Sequence, residues 1–367
     1  EGRAELIYGP DQAGARWQCH EPRLLRACRR EAIIPSRFTP QQRTGRLVLS
    51  DIYEGRNMAG VERGEIKKLL VLEQLPKPAN FSGGSEPLTV GGSFTLQRVL
   101  GTVPVEADGS AYFEAPALRS LFFVALDENE MSVKRMQSFV TVQPGETTSC
   151  VGCHEQRTRT PHLRDIRLLE AIKRPPSRIE AYAGLPDVLD FPRDIQPILD
   201  RHCVGCHNHD RHEGGINLSG DRTPYYSTAY WTMFSKSLVV DGRNTHGNRP
   251  PRTIGSSASR LMACLDKSHY DVDLSGRERQ TIRAWIDSGA TYSGTYACLG
   301  SGMFPVDFPD EIVINRCAGC HKATKQSYRN VKKDAFYFQF GKQEPPQPLL
   351  ERIDDIILIR HLAYFQL

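Results

Sequence analysis

The sequence predicts an α+β protein in which a small β-sandwich-like domain precedes mostly helical domains with long loops. Short apolar runs separated by turn residues fill the first 149 residues, a pattern typical of small β-domains. Two amphipathic helical patterns follow, at 195–199 and 275–289. The 30 Gly and 24 Pro residues among 367 indicate many turns, and the length suggests more than one domain. We predict four segments, namely 1–149, 150–185, 186–300 and 301–367.

Three patterns predict the β-rich character of segment 1–149. An Asp-Gly pair at 108–109 lies between two alternating apolar runs, which predicts a hairpin. The apolar run 121–125 predicts a buried strand, and 138–142 predicts another short strand. The Pro-rich residues 174–178 and the Leu-Pro pair at 185–186 predict a linker to the next domain.

Two helices are predicted in segment 186–300. Pro192 suits a first helical turn, and the apolar residues at 195, 198 and 199 form one helix face that leads to Cys203. Further along, Ser275 and Glu278 form a capping box. An apolar stripe that includes Trp285 follows, and Gly289 stands where a helix-ending glycine belongs. We expect this second helix to pack on the first, with Trp285 as core.

The pattern Cys-x-x-Cys-His occurs three times. It is the attachment signature of c-type haem, in which two thiols bind the haem covalently and the histidine is the proximal iron ligand. A zinc site would need two such pairs, or a pair and nearby histidines, at close spacing. The three motifs are far apart in the chain, so we predict three covalently attached haems in cytochrome c-type domains. The motif residues are Cys150, Cys153 and His154; Cys203, Cys206 and His207; and Cys317, Cys320 and His321.

Eight histidines outside the motifs offer second iron ligands. For the second haem we predict His269, which lies between the two predicted helices. For the first haem His20, His162 and Met136 remain alternatives. For the third haem we favour His361, because no other histidine follows the third motif. Histidines near a neighbouring haem, His209 and His212, are further candidates.

Composition restricts partners and location. The formal net charge is +4, and the propionates of three haems would add about −6, so the loaded protein is close to neutral and a nucleic-acid partner is not expected. No stretch approaches 18 apolar residues, so we predict no membrane span. Haem attachment of this kind implies assembly outside the cytoplasm, and we predict a periplasmic or extracellular protein. The chain begins at Glu1, which we interpret as a processed or incomplete chain.

Four cysteines lie outside the motifs. An even number in an oxidising compartment favours disulfides. Pairing of sequence neighbours would give Cys19–Cys28 and Cys264–Cys298.

Several stretches flank the first two motifs, at 101–114, 138–146, 214–218, 255–261, 268–272 and 284–290. Together they resemble a known family, the hydrazine synthase alpha subunits, over roughly residues 30 to 300. The resemblance implies that family's middle domain followed by a cytochrome c domain. In that family a tyrosine four residues after the first motif histidine takes the proximal iron position, and the histidine binds zinc. This chain has Thr158 there, so we expect His154 to bind iron.

The sequence predicts a triheme c-type cytochrome, an electron carrier rather than an oxidoreductase. It would carry electrons between redox partner proteins or along a homopolymeric haem chain or filament. This prediction depends on the three motifs, the surplus of histidines, and the lack of a phosphate-binding, serine-hydrolase or zinc-protease motif. The alternative, which the resemblance implies, is a haem enzyme related to hydrazine synthase that acts on a small nitrogen compound at the first haem.

Overall fold

A computed structural model describes residues 36–76, 88–89, 95–153, 165–221, 226–240 and 248–294. The chain divides into Glu1–Arg37 and Phe38–Leu367, and every described element lies in the second unit. These elements form a mixed α+β fold, as predicted. The strands are β1 (Thr44–Leu49), β2 (Lys68–Gln74), β3 (Gln97–Pro104), β4 (Ala111–Pro116), β5 (Leu121–Leu126), β6 (Ser132–Arg135) and β7 (Thr147–Cys150). The helices are α1 (Gln196–His202), α2 (Thr228–Ser235) and α3 (Gly276–Asp287).

The strands form two sheets. The three-stranded sheet has the order β4-β1-β7, with β1 antiparallel to β4 and parallel to β7. The four-stranded sheet has the order β3-β2-β5-β6, and all its pairings are antiparallel. The predicted buried strand at 121–125 is confirmed as β5, whose residues are almost all buried.

The four-stranded sheet is buried on both faces. Side chains alternate along a strand, so Leu69 and Val71 of β2 enter a core shared with the three-stranded sheet. The intervening Leu70 and Leu72 enter a second core with the helices. This burial explains why β2 reads as a continuous apolar run instead of an alternating one.

The predicted helices of segment 186–300 are confirmed. A π turn, Phe191–Ile195, leads into α1, and Ile195, Ile198 and Leu199 are buried. At α3 the capping box of Ser275 and Glu278 is present on both sides. The mostly helical character of the whole downstream region stays a prediction, because 295–367 lie outside the described residues.

Trp285 of α3 belongs to the core, as expected. Its ring is fully buried and lies 5.3 Å from the Phe191 ring, measured between centroids. Its indole N–H donates to the Thr291 carbonyl at 2.8 Å, which satisfies the one polar group of the side chain. The contact between Trp285 and Phe191 packs α3 against the start of α1.

Two strand predictions differ from the structure. The turn at 108–109 forms, but the strands on either side separate: β3 pairs with β2 and β4 pairs with β1, in different sheets. Residues 138–142 do not form a strand, because only Val140 bridges to Leu121. The edge position beside β5 is taken instead by β6.

The segment predicted as a linker is hydrogen-bonded to both sheets. The Ser177 amide donates to the Tyr112 carbonyl of β4, and the Glu180 amide donates to the Thr102 carbonyl of β3, each at 2.9 Å. The approach at β3 is close, since a Cβ on Gly101 would lie 2.2 Å from the Glu180 carbonyl oxygen. Across the described ranges, no helix has the length and apolar character needed to cross a bilayer.

Candidate functional site

The first motif is mounted on a strand. β7 runs parallel to β1 and ends at Cys150. The Ser50 amide donates to the Cys150 carbonyl at 2.9 Å, and the Cys153 amide donates to the Glu54 carbonyl at 2.7 Å. The motif cysteines are therefore fixed by backbone hydrogen bonds to the chain that follows β1.

This contact leaves no room for side chains at two glycines. A Cβ on Gly152 would lie 2.0 Å from the Glu54 carbonyl oxygen, and one on Gly55 would lie 2.2 Å from the Cys153 carbonyl oxygen. Both distances are far inside van der Waals contact. Glycine at these positions allows the motif to approach residues 54–55.

An apolar cavity of about 340 Å³ opens between the two sheets beside the first motif. Both motif cysteines line it. Most of its remaining wall is aliphatic or aromatic, with Phe113 and Phe123 among the lining residues. Two residues of different chemistry also line it, Lys134 and Met136. Two thiols at the edge of an apolar space suit a large, flat, apolar group attached through sulfur.

The second motif is mounted on a helix end. The Cys203 amide donates to the Leu199 carbonyl at 2.8 Å, and the His207 amide donates to the Cys203 carbonyl at 3.0 Å. The motif thus forms a helical turn after α1. Cys203 packs against the helical core, whereas Cys206 is exposed. Gly205 has open space around it, unlike Gly152 of the first motif.

The structure brings two predicted ligands of the second haem together. The rings of His207 and His269 are 9° from parallel, with 6.1 Å between centroids. His207 Nδ1–H donates to the Glu213 carbonyl at 3.0 Å. This bond leaves Nε2 with a free lone pair, the arrangement common for metal-binding histidines.

The separation of these rings fits one metal ion between them. A metal–imidazole bond is about 2 Å long, and adding about 1 Å from each nitrogen to its ring centre gives roughly 6 Å between the two centres. The observed centroid distance of 6.1 Å agrees. The centroid separation of His207 and His269 is therefore the one expected for two imidazoles that share an ion.

Two other described histidines have different ring partners. His202 Nε2 lies 3.2 Å from Glu278 Oε1. His209 Nε2 lies 2.8 Å from Asp221 Oδ2, and its Nδ1 lies 3.1 Å from the Asn217 amide nitrogen. His202 therefore ties α1 to the start of α3, and His209 belongs to an exposed polar loop.

Burial affects the ionisation of one thiol and one amine at these sites. Desolvation, with smaller effects of Cys264 and Cys206, raises the pKa of Cys203 to about 11. Desolvation also lowers the pKa of Lys134. Cys203 is therefore a neutral thiol near neutral pH.

Several predicted site residues lie outside the described ranges and stay predictions. The first motif is described only as far as Cys153, and nothing of the third motif is described. The proposed disulfides cannot be traced, because each has at least one cysteine outside the described residues. The residues concerned are Cys19, His20, Cys28, His154, Thr158, His162, Cys298, Cys317, Cys320, His321 and His361.

Part of the chain matches a known protein family. Residues 64–155 match the hydrazine synthase alpha subunit middle domain. The matched range begins just before β2 and ends just after the first motif, so it includes both cysteines beside the cavity and the lining strands other than β1.

Two relatives extend the similarity. Hydrazine synthase subunit alpha of Kuenenia stuttgartiensis is 24% identical in an alignment 328 residues long, which covers 65% of this chain and 40% of that protein. The solved hydrazine synthase of Kuenenia stuttgartiensis superposes with a TM-score of 0.52 at 19% identity, covering 69% of this chain and 44% of that chain. This chain therefore spans less than half the length of either relative. The resemblance to the middle domain is supported, and the fold is shared over the covered part of the chain, whereas the cytochrome c domain stays a prediction.

Sequence reasoning missed Lys134 and Glu213. Lys134 lies in a short stretch, Ser-Val-Lys-Arg, that gives no strong periodic signal. Glu213 contributes only its backbone carbonyl to His207, and a backbone contact depends on chain path and not on residue type. No motif would have indicated either residue.

Proposed function

We propose that this chain is part of a c-type multihaem redox protein outside the cytoplasm, and that a small nitrogen compound reacts at the first motif. The cavity beside Cys150 and Cys153 carries this proposal, since it offers apolar space at the attachment point. The similarity of residues 64–155 to the hydrazine synthase alpha subunit middle domain supports the nitrogen chemistry. A c-type haem there would supply an iron whose open position can bind a small ligand.

The residues of the first site fit such a group. Cys150 and Cys153 would hold it covalently, and His154 is the proposed axial ligand. Phe113 and Phe123 line the space that the ring would need. An apolar, water-poor wall strengthens electrostatic effects on any bound small molecule.

At the second motif we propose an electron-transfer centre. Cys203 and Cys206 would attach the haem, and His207 and His269 would bind the iron from both sides. Their nearly parallel rings at 6.1 Å support this assignment. An iron with two strong protein ligands has no open position for substrate, which suits electron relay. The third motif, with His321 and His361, would extend the relay.

A second candidate function is that of a pure electron carrier. The His207–His269 pair favours this function, because an iron that binds both histidines has no open position for a substrate. Thr158 in place of the family's tyrosine also favours it, since His154 would then bind iron in the ordinary way. In this case the electrons pass to redox partner proteins or to further copies of the chain.

Spectroscopy of the haem-loaded full chain distinguishes the two functions. We expect one high-spin ferric haem and two low-spin ones, and carbon monoxide binding by the reduced protein at the high-spin centre. If all haems are low-spin and carbon monoxide does not bind, the enzyme proposal is wrong and the carrier remains. Intact mass gives the number of attached haems.

Paired cysteine variants assign the high-spin centre. Replacing Cys150 and Cys153 with alanine should remove the high-spin signal and lower the intact mass by that of one haem. Replacing Cys203 and Cys206 is the matched control, which should remove a haem but retain carbon monoxide binding. The opposite pattern would place the open iron at the second motif and contradict the proposal.

A further inference from the structure

A lysine side chain lies in the wall of the apolar cavity beside the first motif. Lys134 is only 5% exposed, yet it lines a cavity whose other described walls are mainly apolar. Removing an ammonium group from water is costly, and lysine is rarely buried unless its charge is paired. The position of Lys134 therefore needs an explanation from its surroundings.

A β-bulge directs Lys134 towards the cavity. In the pairing of β5 with β6, Leu126 lies opposite Ser132, but Ala125 lies opposite Lys134 instead of Val133. Without the extra residue, Lys134 would lie opposite Val124, whose side chain enters the helical core. With it, Lys134 shares the face of Ala125, which lines the cavity. Bulges often reorient a side chain next to a functional site.

Among the described residues no carboxylate pairs with Lys134, and its charged or ionisable neighbours are the Cys153 thiol, which a haem would convert to a neutral thioether, and the Arg56 guanidinium. Its Nζ donates to the Asn57 carbonyl at 3.0 Å and to the Arg249 carbonyl. Both acceptors are neutral, and an ammonium group has three hydrogens to donate. Two carbonyls orient the group without neutralising it. One donor and the full positive charge remain for a further ligand.

We propose that the ammonium group of Lys134 binds an anionic oxygen in this cavity, either a haem propionate or a small nitrogen oxyanion. This inference rests on the proposed function, because it assumes a haem at Cys150 and Cys153. The two sources share one chemistry, a negatively charged oxygen that accepts the third hydrogen bond. Such a charge-assisted bond is roughly twice as strong as a neutral one.

The test uses the haem-loaded full chain with Lys134→Met, Lys134→Gln and the control Lys67→Met. Methionine keeps the aliphatic stem, and glutamine can still donate to a carbonyl but has no charge. Lys67 is an exposed lysine just before β2, so its loss removes the same charge outside the cavity. Nitrite and azide titrations of the ferric protein, and carbon monoxide titration of the reduced protein, are followed by absorbance.

If Lys134 binds an external oxyanion, both Lys134 variants should bind nitrite about tenfold or more weakly, as expected for loss of a hydrogen bond to a charged group. Carbon monoxide affinity should stay unchanged, because that ligand is neutral. If the partner is a propionate, nitrite affinity should stay unchanged while the midpoint potential of the first haem falls. Removing a nearby positive charge disfavours the reduced iron.

The inference is wrong if neither nitrite affinity nor midpoint potential differs from the Lys67→Met control. Lys134 would then only connect the Asn57 and Arg249 carbonyls, and its variants would change the thermal unfolding midpoint alone. Should Lys134→Met not fold, Lys134→Gln retains the hydrogen bonds and gives the same comparison. Absence of a haem mass at the first motif would instead contradict the proposed function.

Discussion

The imidazole rings of His207 and His269 lie close together, 9° from parallel and 6.1 Å apart between centroids. His207 follows α1, and His269 lies in the irregular segment before α3, so the contact depends on how the two helices pack. The Glu213 carbonyl holds Nδ1 of His207 and leaves Nε2 available. The pair thus combines a short ring separation with an Nε2 atom on His207 that the Glu213 contact does not use.

Replacing His269 with alanine should convert the second haem from low-spin to high-spin, because its iron loses one of two imidazole ligands. Added imidazole should restore the low-spin spectrum. His209→Ala is the control, since that ring bonds to Asp221 and Asn217. An unchanged low-spin spectrum in His269→Ala would exclude this ligand.

Gly152→Ala should destabilise the protein by about 2 kcal/mol, as overpacking of a tight contact does. The added Cβ would meet the Glu54 carbonyl oxygen at 2.0 Å. Gly205→Ala is the matched change in the second motif, where nothing lies near the added carbon, and it should be nearly neutral. Chemical denaturation monitored by circular dichroism measures both variants. If Gly152→Ala and Gly205→Ala are equally stable, the close approach of the motif to residues 54–55 does not contribute to stability.

Glu278→Gln should lower the free energy of unfolding at pH 7. It should also make that free energy depend less on pH between about 4.5 and 2. Burial opposes ionisation of Glu278, but hydrogen bonds from Arg201, Ser275 and His202 outweigh it and lower its pKa to about 2. Because the pKa of Glu278 is lower in the folded than in the unfolded chain, its ionised form stabilises the fold at pH values above about 4.5. This contribution to the free energy of unfolding is lost as the pH falls from about 4.5 towards 2. Glutamine can still accept from the Ser275 amide, so the cost should be that of the charged contacts to Arg201 and His202, about 0.5–1 kcal/mol.

Denaturation at several pH values tests this dependence. Glu128→Gln is the control, because Glu128 lies in the turn between β5 and β6, away from the α3 cap. It should leave the slope between pH 4.5 and 2 as in the parent protein. An identical slope for Glu278→Gln would show that the cap does not account for acid sensitivity.

Asp287→Ala should destabilise the protein by about 3 kcal/mol, because it leaves buried donors without their acceptor. The Asp287 carboxylate accepts from the Ser256 amide at 2.7 Å and from the Ser256 hydroxyl at 2.8 Å. Ser256 in turn contacts Ser132 of β6, so the cluster joins α3 to the four-stranded sheet. Thermal unfolding compares it with Asp210→Ala, an exposed position that should have little effect. A small shift for Asp287→Ala would mean that water replaces the lost carboxylate.

Features determined by neighbouring residues could be predicted from the sequence. The capping box at Ser275, the buried face of α1 and the buried strand β5 all depend on residues within a few positions of each other. The motif cysteines were equally clear from spacing. His269 was proposed from its place between two helices, and the structure brings it to His207.

Features determined by distant partners could not be predicted. The turn at 108–109 forms as expected, but β3 and β4 gain more pairing from β2 and β1 than from each other. The position of Lys134 depends on a single extra residue in β6, which reverses the face of the side chain. Neither choice leaves a local pattern in the sequence.

If the chain is exported before haem is attached, as the proposed function implies, the buried thiol of Cys203 affects the stability of the second motif against oxidation. A thiol with a pKa of about 11 is almost entirely protonated at neutral pH, and only the thiolate attacks disulfides or oxidants. In an oxidising compartment a folded, unloaded chain would therefore form a disulfide from Cys203 to Cys206 or Cys264 slowly. The fold itself would then lengthen the interval during which the maturation machinery can attach the cofactor.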